Sequence, residues 1–427
     1  MNAQTGAKPG DIESSYAWLR LAVAVTISTI GGVGMWSVMV ALPALQAEFG
    51  VTRADASLPF TMVMFGFAGG GVLMGRLADR FGIAVPLGVG ALMLSAGYLA
   101  TGWSASLWQV ALAHGLIGIG CSAGFGPVMA DISHWFLRRR GIAVALAATG
   151  NYLAGTFWPP VIQEFISSTG WRATHIGIGL FCLITIMPLV LAMRRQIESH
   201  HGDAADATPA WRQAEVPISP LTLQVFLCIA GVACCVAMSM PQVHIVAYCG
   251  DLGYGLARGA EMLSMMLGFG IISRIASGFI ADRIGGVRTL LLGSVLQGVA
   301  LFLYLWFDGL ISLYVISALF GLFQGGIVPS YAIIVREYFS PREAGTRLGL
   351  VLMATLLGMA LGGWLSGLIF DLTGSYRAAF LNGLGWNLVN ILIMIWLLQR
   401  SRVAQLLPNT KTAGRLGSRN RAAPNPT

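Results

Sequence analysis

Arg274 is flanked by seven uncharged residues on each side, 267–273 and 275–281. Near the centre of a membrane helix an arginine costs about 2.5–3.5 kcal/mol on insertion scales, so it belongs against a wet cavity. Its planar guanidinium can hold a carboxylate through two parallel hydrogen bonds, which adds orientation to charge. Snorkelling is the plain alternative. Asp282 lies eight residues on, however, roughly 12 Å at the helical rise, which is a long reach for the side chain. His114 and His244 also fall in apolar runs, His244 three residues after Pro241. Histidine titrates near neutral pH, so either can carry a proton; a histidine that merely ties two helices together fits equally well. Asn151, Tyr152, Gln324 and Trp36 sit mid-run, where a polar side chain either bonds a solute or joins neighbouring helices.

Other chemistry has no footing. No HExxH, GxSxG or Walker pattern occurs, and His200-His201 is an isolated pair. Gly69-Gly70-Gly71 and Gly118-Ile119-Gly120 lie inside apolar helices with no strand before them, so close helix packing explains them better than a phosphate loop. The six cysteines (Cys121, Cys182, Cys228, Cys234, Cys235, Cys249) form no CxxC pair and read as small core residues. The expectation is a protein that is not an enzyme, with no metal and no cofactor beyond a proton as coupling ion.

The elements that position these residues follow from composition. Of 427 residues 56% are hydrophobic and 10% charged, and the mean hydropathy is +0.73. A soluble domain carries about 25% charged residues. This chain lacks the polar material for a water-facing surface, which excludes a soluble enzyme, a nucleic-acid-binding domain and a disordered scaffold. A helix needs roughly 20 apolar residues to cross a bilayer. Twelve such runs are present: 18–45, 58–77, 83–102, 107–133, 141–162, 174–193, 221–249, 261–281, 287–307, 311–335, 347–370 and 378–398.

The net charge of +8 reports topology. With both ends inside, the outer loops hold only Arg53, Arg172, Arg258 and Arg377 of the 26 basic residues; Arg138, Arg139, Arg140, Arg194 and Arg195 fall inside. Residues 1–17 form a polar cytoplasmic tail without a signal-cleavage pattern, 18–193 a first six-helix bundle, 194–220 a cytoplasmic linker, 221–399 a second bundle, and 400–427 a basic, disordered cytoplasmic tail. Glu164 and Glu261 read as interfacial, and Asp131 as a partner of the loop arginines. Lys8 and Lys411 are the only lysines; that bias, with abundant Ala and Gly, points to a GC-rich bacterial genome and hence a bacterial inner membrane.

The halves repeat. Gly75-Arg76-Leu77-Ala78-Asp79-Arg80-Phe81-Gly82 and Gly278-Phe279-Ile280-Ala281-Asp282-Arg283-Ile284-Gly285 share Gly-x-x-Ala-Asp-Arg-x-Gly at an offset of 203 residues, as do Trp135-Phe136 and Tyr338-Phe339. The glycines would let helices approach, the aspartates would sit near a helix N-terminus, and the arginines would pair with them across the loop. Gly75, Asp79, Arg80, Gly82, Gly278, Asp282 and Arg283 thus form a candidate conformational latch. On these residues the whole chain resembles the major facilitator superfamily. The resemblance implies an all-α membrane protein of twelve transmembrane helices in two pseudo-symmetric six-helix bundles, moving a solute by alternating access as a monomer in the bilayer.

The run from His134-Trp135-Phe136 through Arg138-Arg139-Arg140 to Gly150, Gly155 and Pro159-Pro160 is similar to the monocarboxylate transporter branch. Ser273-Arg274-Ile275-Ala276-Ser277-Gly278 resembles that branch and its oxalate/formate exchanger relatives, as does the stretch from Pro241 to Gly253. In both groups an arginine in this helix is implicated in holding the substrate carboxylate. The resemblance therefore implies that Arg274 holds a small organic monocarboxylate, with His244, Asn151, Tyr152, Gln324 and Trp36 around it. His114 or His244 would carry a proton in symport. Departures are visible too: Gly270 stands where the mammalian branch has an acidic residue, and Met35, Trp36 and Ser37 where it has a lysine. An anion exchanger, a drug exporter and a non-transporting sensor are the alternatives.

Overall fold

In a bilayer every backbone N–H and C=O must be satisfied within its own segment, so an apolar chain of this kind becomes helix. The computed structural model describes residues 12–195 and 218–406, and all regular structure among them is helical. The helices are α1 (Ser15–Gly31), α2 (Val33–Phe49), α3 (Arg53–Ala56), α4 (Leu58–Phe81), α5 (Ala84–Gly102), α6 (Leu107–Ser122), α7 (Gly126–Trp135), α8 (Arg140–Thr169) and α9 (Trp171–Ala192) in the first half. The second half holds α10 (Pro220–Asp251), α11 (Leu256–Ile284), α12 (Gly286–Trp306), α13 (Leu310–Gln324), α14 (Ile327–Tyr338), α15 (Pro341–Thr373) and α16 (Tyr376–Leu406).

Several expected single spans are broken rods. Gly32 separates α1 from α2, residues 123–125 separate α6 from α7, and Gly325-Gly326 separate α13 from α14. Counting each broken rod once, and the four-residue α3 with α4, gives six crossings per half, as expected. Eleven crossings are long and apolar enough to span a membrane by composition; α8 is 30 residues long but carries Asn151, Tyr152, Pro159, Pro160 and Gln163 along its length. Helix α16 runs on to Leu406, past the expected end at 399. Residues 1–11, 196–217 and 407–427, which include most of the linker, His200-His201 and most of the basic tail, lie outside the described residues.

Small residues set the packing inside each bundle. A Cβ at Gly118 would strike the Val63 carbonyl, and one at Gly120 would sit 2.6 Å from the Gly90 carbonyl, so α6 lies backbone to backbone on α4 and α5. Gly70 packs in the same way against Ile119, whereas Gly69 and Gly71 meet nothing. All six cysteines are free, five of them fully buried, as their apolar setting implies.

The chain ends α1 and α16 define one face of the molecule, called here the terminal face; the opposite one is the far face. Among the described residues the hydrogen bonds joining the two bundles gather in the far-face half, except one from Arg274 to the Ala148 carbonyl just on the terminal side of mid-span. At the far face the α3 backbone N–H groups of Arg53 and Ala54 each donate to the Asp371 carboxylate at 2.8 Å. The Arg53 side chain donates to the Tyr376 hydroxyl at 2.6 Å and pairs with Asp251 at 3.2 Å. Nearer the terminal face than the Arg274–Ala148 contact, no hydrogen bond joins the bundles among the described residues. The molecule is closed at the far face and parted at the terminal face.

Three expectations at the terminal face need correction. Asp79 and Asp282 fall in the last turn of α4 and α11, not at a helix N-terminus, and neither makes an ion pair among the described residues. Both are exposed together with Arg80 and Arg283, because the helix ends they would bridge are parted. Gly75 and Gly278 face open space, while Gly82 and Gly285 hold left-handed backbone (φ +76° and +84°) that turns the chain into α5 and α12. Asp131 pairs with Arg20 of α1 rather than with the loop arginines: Nε and Nη2 reach its two oxygens at 2.9 and 2.8 Å. The physical reason is that α7 packs on α1, and the fully buried Arg20 side chain needs a counter-charge there.

Removing one partner of a buried pair leaves the other charge uncompensated. Asp131→Ala should therefore lower stability by about 3 kcal/mol, with most of the loss recovered in the double variant Arg20→Met, Asp131→Leu. Thermal unfolding in detergent micelles reads both.

Candidate functional site

The seam where α8 crosses α11 is built from residues small enough to bring the two bundles into contact. Gly155 lies against Leu267 and Trp36, Gly268 against Thr156, and Gly270 against the Tyr152 ring. One turn beyond Gly270, toward the terminal face, the Arg274 side chain enters this seam. Its Nη1 donates to the Ala148 carbonyl at 3.3 Å, and its guanidinium carbon stands 4.3 Å from the centroid of the Tyr152 ring. The Arg274 Nε is buried without a partner, and no carboxylate pairs with the guanidinium among the described residues. A permanent positive charge thus sits half-buried between the bundles, held by a carbonyl and an aromatic face.

Three of the expected site residues, Trp36, Asn151 and Tyr152, come together here. Trp36 Nε1 donates to the Asn151 carbonyl at 3.0 Å, which fixes α2 to α8 beside Tyr152. The Asn151 amide nitrogen reaches the Met35 sulfur at 3.5 Å, leaving its Oδ1 buried and unbonded. Gln324 ends α13 beside Gly325, where an added Cβ would strike the Gly270 carbonyl. Its side chain is fully buried with neither amide atom bonded, so it holds an unspent donor and acceptor in the half of the molecule that carries Arg274.

Both histidines lie elsewhere. His114 is fully buried within the first bundle, its Nδ1 on the Val110 carbonyl at 2.8 Å and its ring 5.8 Å from that of His175. Each of these two imidazoles leaves Nε2 unbonded. His244 is in the far-face closure: its Nε2 meets the Gly363 carbonyl at 2.8 Å and its Nδ1 the Tyr376 hydroxyl at 3.4 Å. Arg53, Asp251, Asp371 and Tyr376, which surround it, escape sequence reading because they come from four separate far-face ends. The sole signal was that Arg53 is one of four basic residues on the arginine-poor side.

The profile of the Major Facilitator Superfamily matches residues 24–315 and 271–423. The chain belongs to that superfamily. Among curated relatives of this major facilitator protein, monocarboxylate transporter 13 of Bos taurus is 29% identical over 334 residues, covering 76% of this chain and 75% of the relative. Monocarboxylate transporter 11 of Homo sapiens is 26% identical, covering 89% and 82% respectively. An agnestins efflux protein of Paecilomyces divaricatus is 23% identical, covering 92% and 90%. Among solved structures, a bacterial homologue of the human lysosomal transporter Spinster, in an inward-facing and occupied conformation, superposes with a TM-score of 0.65 at 14% identity, covering 94% of this chain and 97% of that one. The nucleoside transporter NupG gives 0.70 at 12% identity, covering 89% and 99%. At these identities the structural matches establish the fold: a major facilitator transporter of two helical bundles.

Gly270 has a local reason. An added Cβ would lie 2.5 Å from Cε1 of Tyr152, so the ring occupies the space into which any side chain at 270 would project. The Tyr152 hydroxyl makes no hydrogen bond among the described residues, so the face of the ring is what holds the cation. Tyr152→Phe should therefore leave transport within about twofold. Tyr152→Leu should raise KM by about 2- to 30-fold, the range of a cation–π contact worth about 0.5–2 kcal/mol. Initial uptake rates at varied substrate concentration separate the two variants.

Proposed function

We propose that this protein carries a small organic monocarboxylate through the space between its bundles, with the carboxylate seated on Arg274. The observation that carries the reading is the guanidinium in the α8–α11 seam without a carboxylate of its own. Among the described residues no carboxylate offsets this half-buried charge, and its planar fork suits a bidentate anion. Binding would neutralise it and so lower the cost of closing apolar helices over it. Two of the relatives are named monocarboxylate transporters, which supports the same substrate class. A single fixed cation favours a monoanion over a dicarboxylate.

On this reading the arginine-rich terminal face lies in the cytoplasm of a bacterial inner membrane, and the conformation closed at the far face is the inward-facing one; the arginine bias supports the orientation. Uptake of a monoanion alone would oppose the membrane potential by about 2.3 kcal/mol per 100 mV. A co-transported proton removes that cost, which is the ground for proton symport over exchange. His114 and His244 are the groups that could bear the proton.

Reconstitution in proteoliposomes tests the reading. Under an inward proton gradient the wild-type protein should accumulate a labelled monocarboxylate, Arg274→Ala should lose at least about 90% of that uptake, and Arg274→Lys, which keeps charge without the planar fork, should retain part of it. Equal uptake by Arg274→Ala and wild type sinks the proposal and moves export of apolar compounds, suggested by the efflux relative, to the front.

A further inference from the structure

The far-face closure contains a directed chain of hydrogen bonds that works with only one protonation form of His244. A carbonyl can only accept, so the 2.8 Å contact to Gly363 puts a hydrogen on Nε2. In the neutral ring Nδ1 is then an acceptor, and the Tyr376 O–H donates to it at 3.4 Å. The Tyr376 oxygen in turn accepts from Arg53 Nη1 at 2.6 Å. The order is Arg53 to Tyr376 to His244 to Gly363, running from α3 of the first bundle through α16 and α10 to α15 of the second. All three side chains are buried, so water cannot mend a broken link.

We propose that His244 is the proton site of the transport cycle and that Tyr376 relays its state to Arg53, so that the far-face gate closes on the neutral imidazole and opens on the protonated one. This rests on the reading of the chain as a proton-coupled anion carrier. With a hydrogen on Nδ1, two donors face each other across the Tyr376–His244 contact. The phenol must then swing its hydrogen away, and its oxygen stands between two cations, Arg53 and the imidazolium. The remaining charges around the ring do not relieve this. Asp371 of α15 is engaged by the backbone N–H groups of Arg53 and Ala54, and Asp251, at the end of α10 itself, is paired with Arg53 and partly open to water. Tyr248, one turn along α10, lies edge-on to Tyr376 and brings no fixed charge.

Linkage fixes the sign of the effect: a proton that stabilises the open gate is taken up while the far side is open, so acid on that side shifts the population toward the open form. His114 has no such chain. Its contacts are with Val110 and His175 inside one bundle, and nothing there reports its state across the seam.

The test measures the gate directly. Spin labels at Ala105→Cys and Gly309→Cys, both on exposed far-face turns of opposite bundles, report its opening in lipid nanodiscs, with the half-buried Cys228 replaced by Ala. Between about pH 8 and about pH 5.5 the fraction with long inter-label distance should rise by about fivefold or more. His244→Gln should stay closed at both values. Tyr376→Phe, which deletes the relaying hydroxyl, should blunt the response, and it carries the test if His244→Gln fails to fold. An acid response of equal size in His244→Gln, or a flat response in wild type, overturns the proposal. Arg274→Gln separates this from the anion reading: it should lose uptake yet keep the acid response, and uptake preserved in that variant would sink the anion site alone.

Discussion

A guanidinium lodged between two helical bundles, with no acid to neutralise it among the described residues, is the constraint around which the middle of this transporter is arranged. In an aqueous protein such a charge would be unremarkable, but among transmembrane helices it needs compensation. The chain supplies that compensation weakly, with one carbonyl and one aromatic face. Weakness is useful here, since a carboxylate fixed beside Arg274 would compete with a carboxylate arriving from solution. The glycines of the seam serve the same end. They bring α8 and α11 close enough for the Tyr152 ring to cover the cation.

The two halves share a duplicated frame and divide the work unequally. The repeated Gly-x-x-Ala-Asp-Arg-x-Gly turns stand exposed at the parted terminal face, with their aspartates unpaired among the described residues. The closure at the far face uses no repeated motif. It joins one short helix of the first bundle, α3, to the ends of three helices of the second. A conformational cycle of this kind needs bonds that are satisfied in one state and exchanged in the other. At the far face these are the carboxylate of Asp371 on two backbone N–H groups and the guanidinium of Arg53 on a phenol and a second carboxylate.

Much of the architecture was legible in the sequence because the bilayer leaves few options. Apolar runs of membrane length had to be helices, and the 203-residue offset of the motif implies a chain of two like halves. Arg274 was legible for the same reason, as a charge with no nearby polar boundary. What could not be read was pairing across distance in sequence. Asp131 had three arginines within nine residues, yet its partner is Arg20, 111 positions away, because packing of α1 on α7 decides the matter. The far-face cluster was hidden likewise: Arg53, Asp251, Asp371 and Tyr376 are ordinary loop-end residues until the fold brings them together. The latch motif misled about its aspartates because a motif shows which residues recur and not which state of the cycle pairs them.

The contact between Gly270 and Tyr152 carries a consequence for descent as well as for mechanism. Because the ring fills the volume that a side chain at 270 would need, the two positions are not free to vary independently. A lineage that acquired an acidic residue at 270 while keeping a large ring at 152 would pass through a form with a distorted seam. One that first reduced residue 152 would pass through a form with a poorly held Arg274. Whichever change comes first therefore passes through a weakened form, and a large ring at 152 and a side chain at 270 are alternative ways of filling one volume beside this arginine.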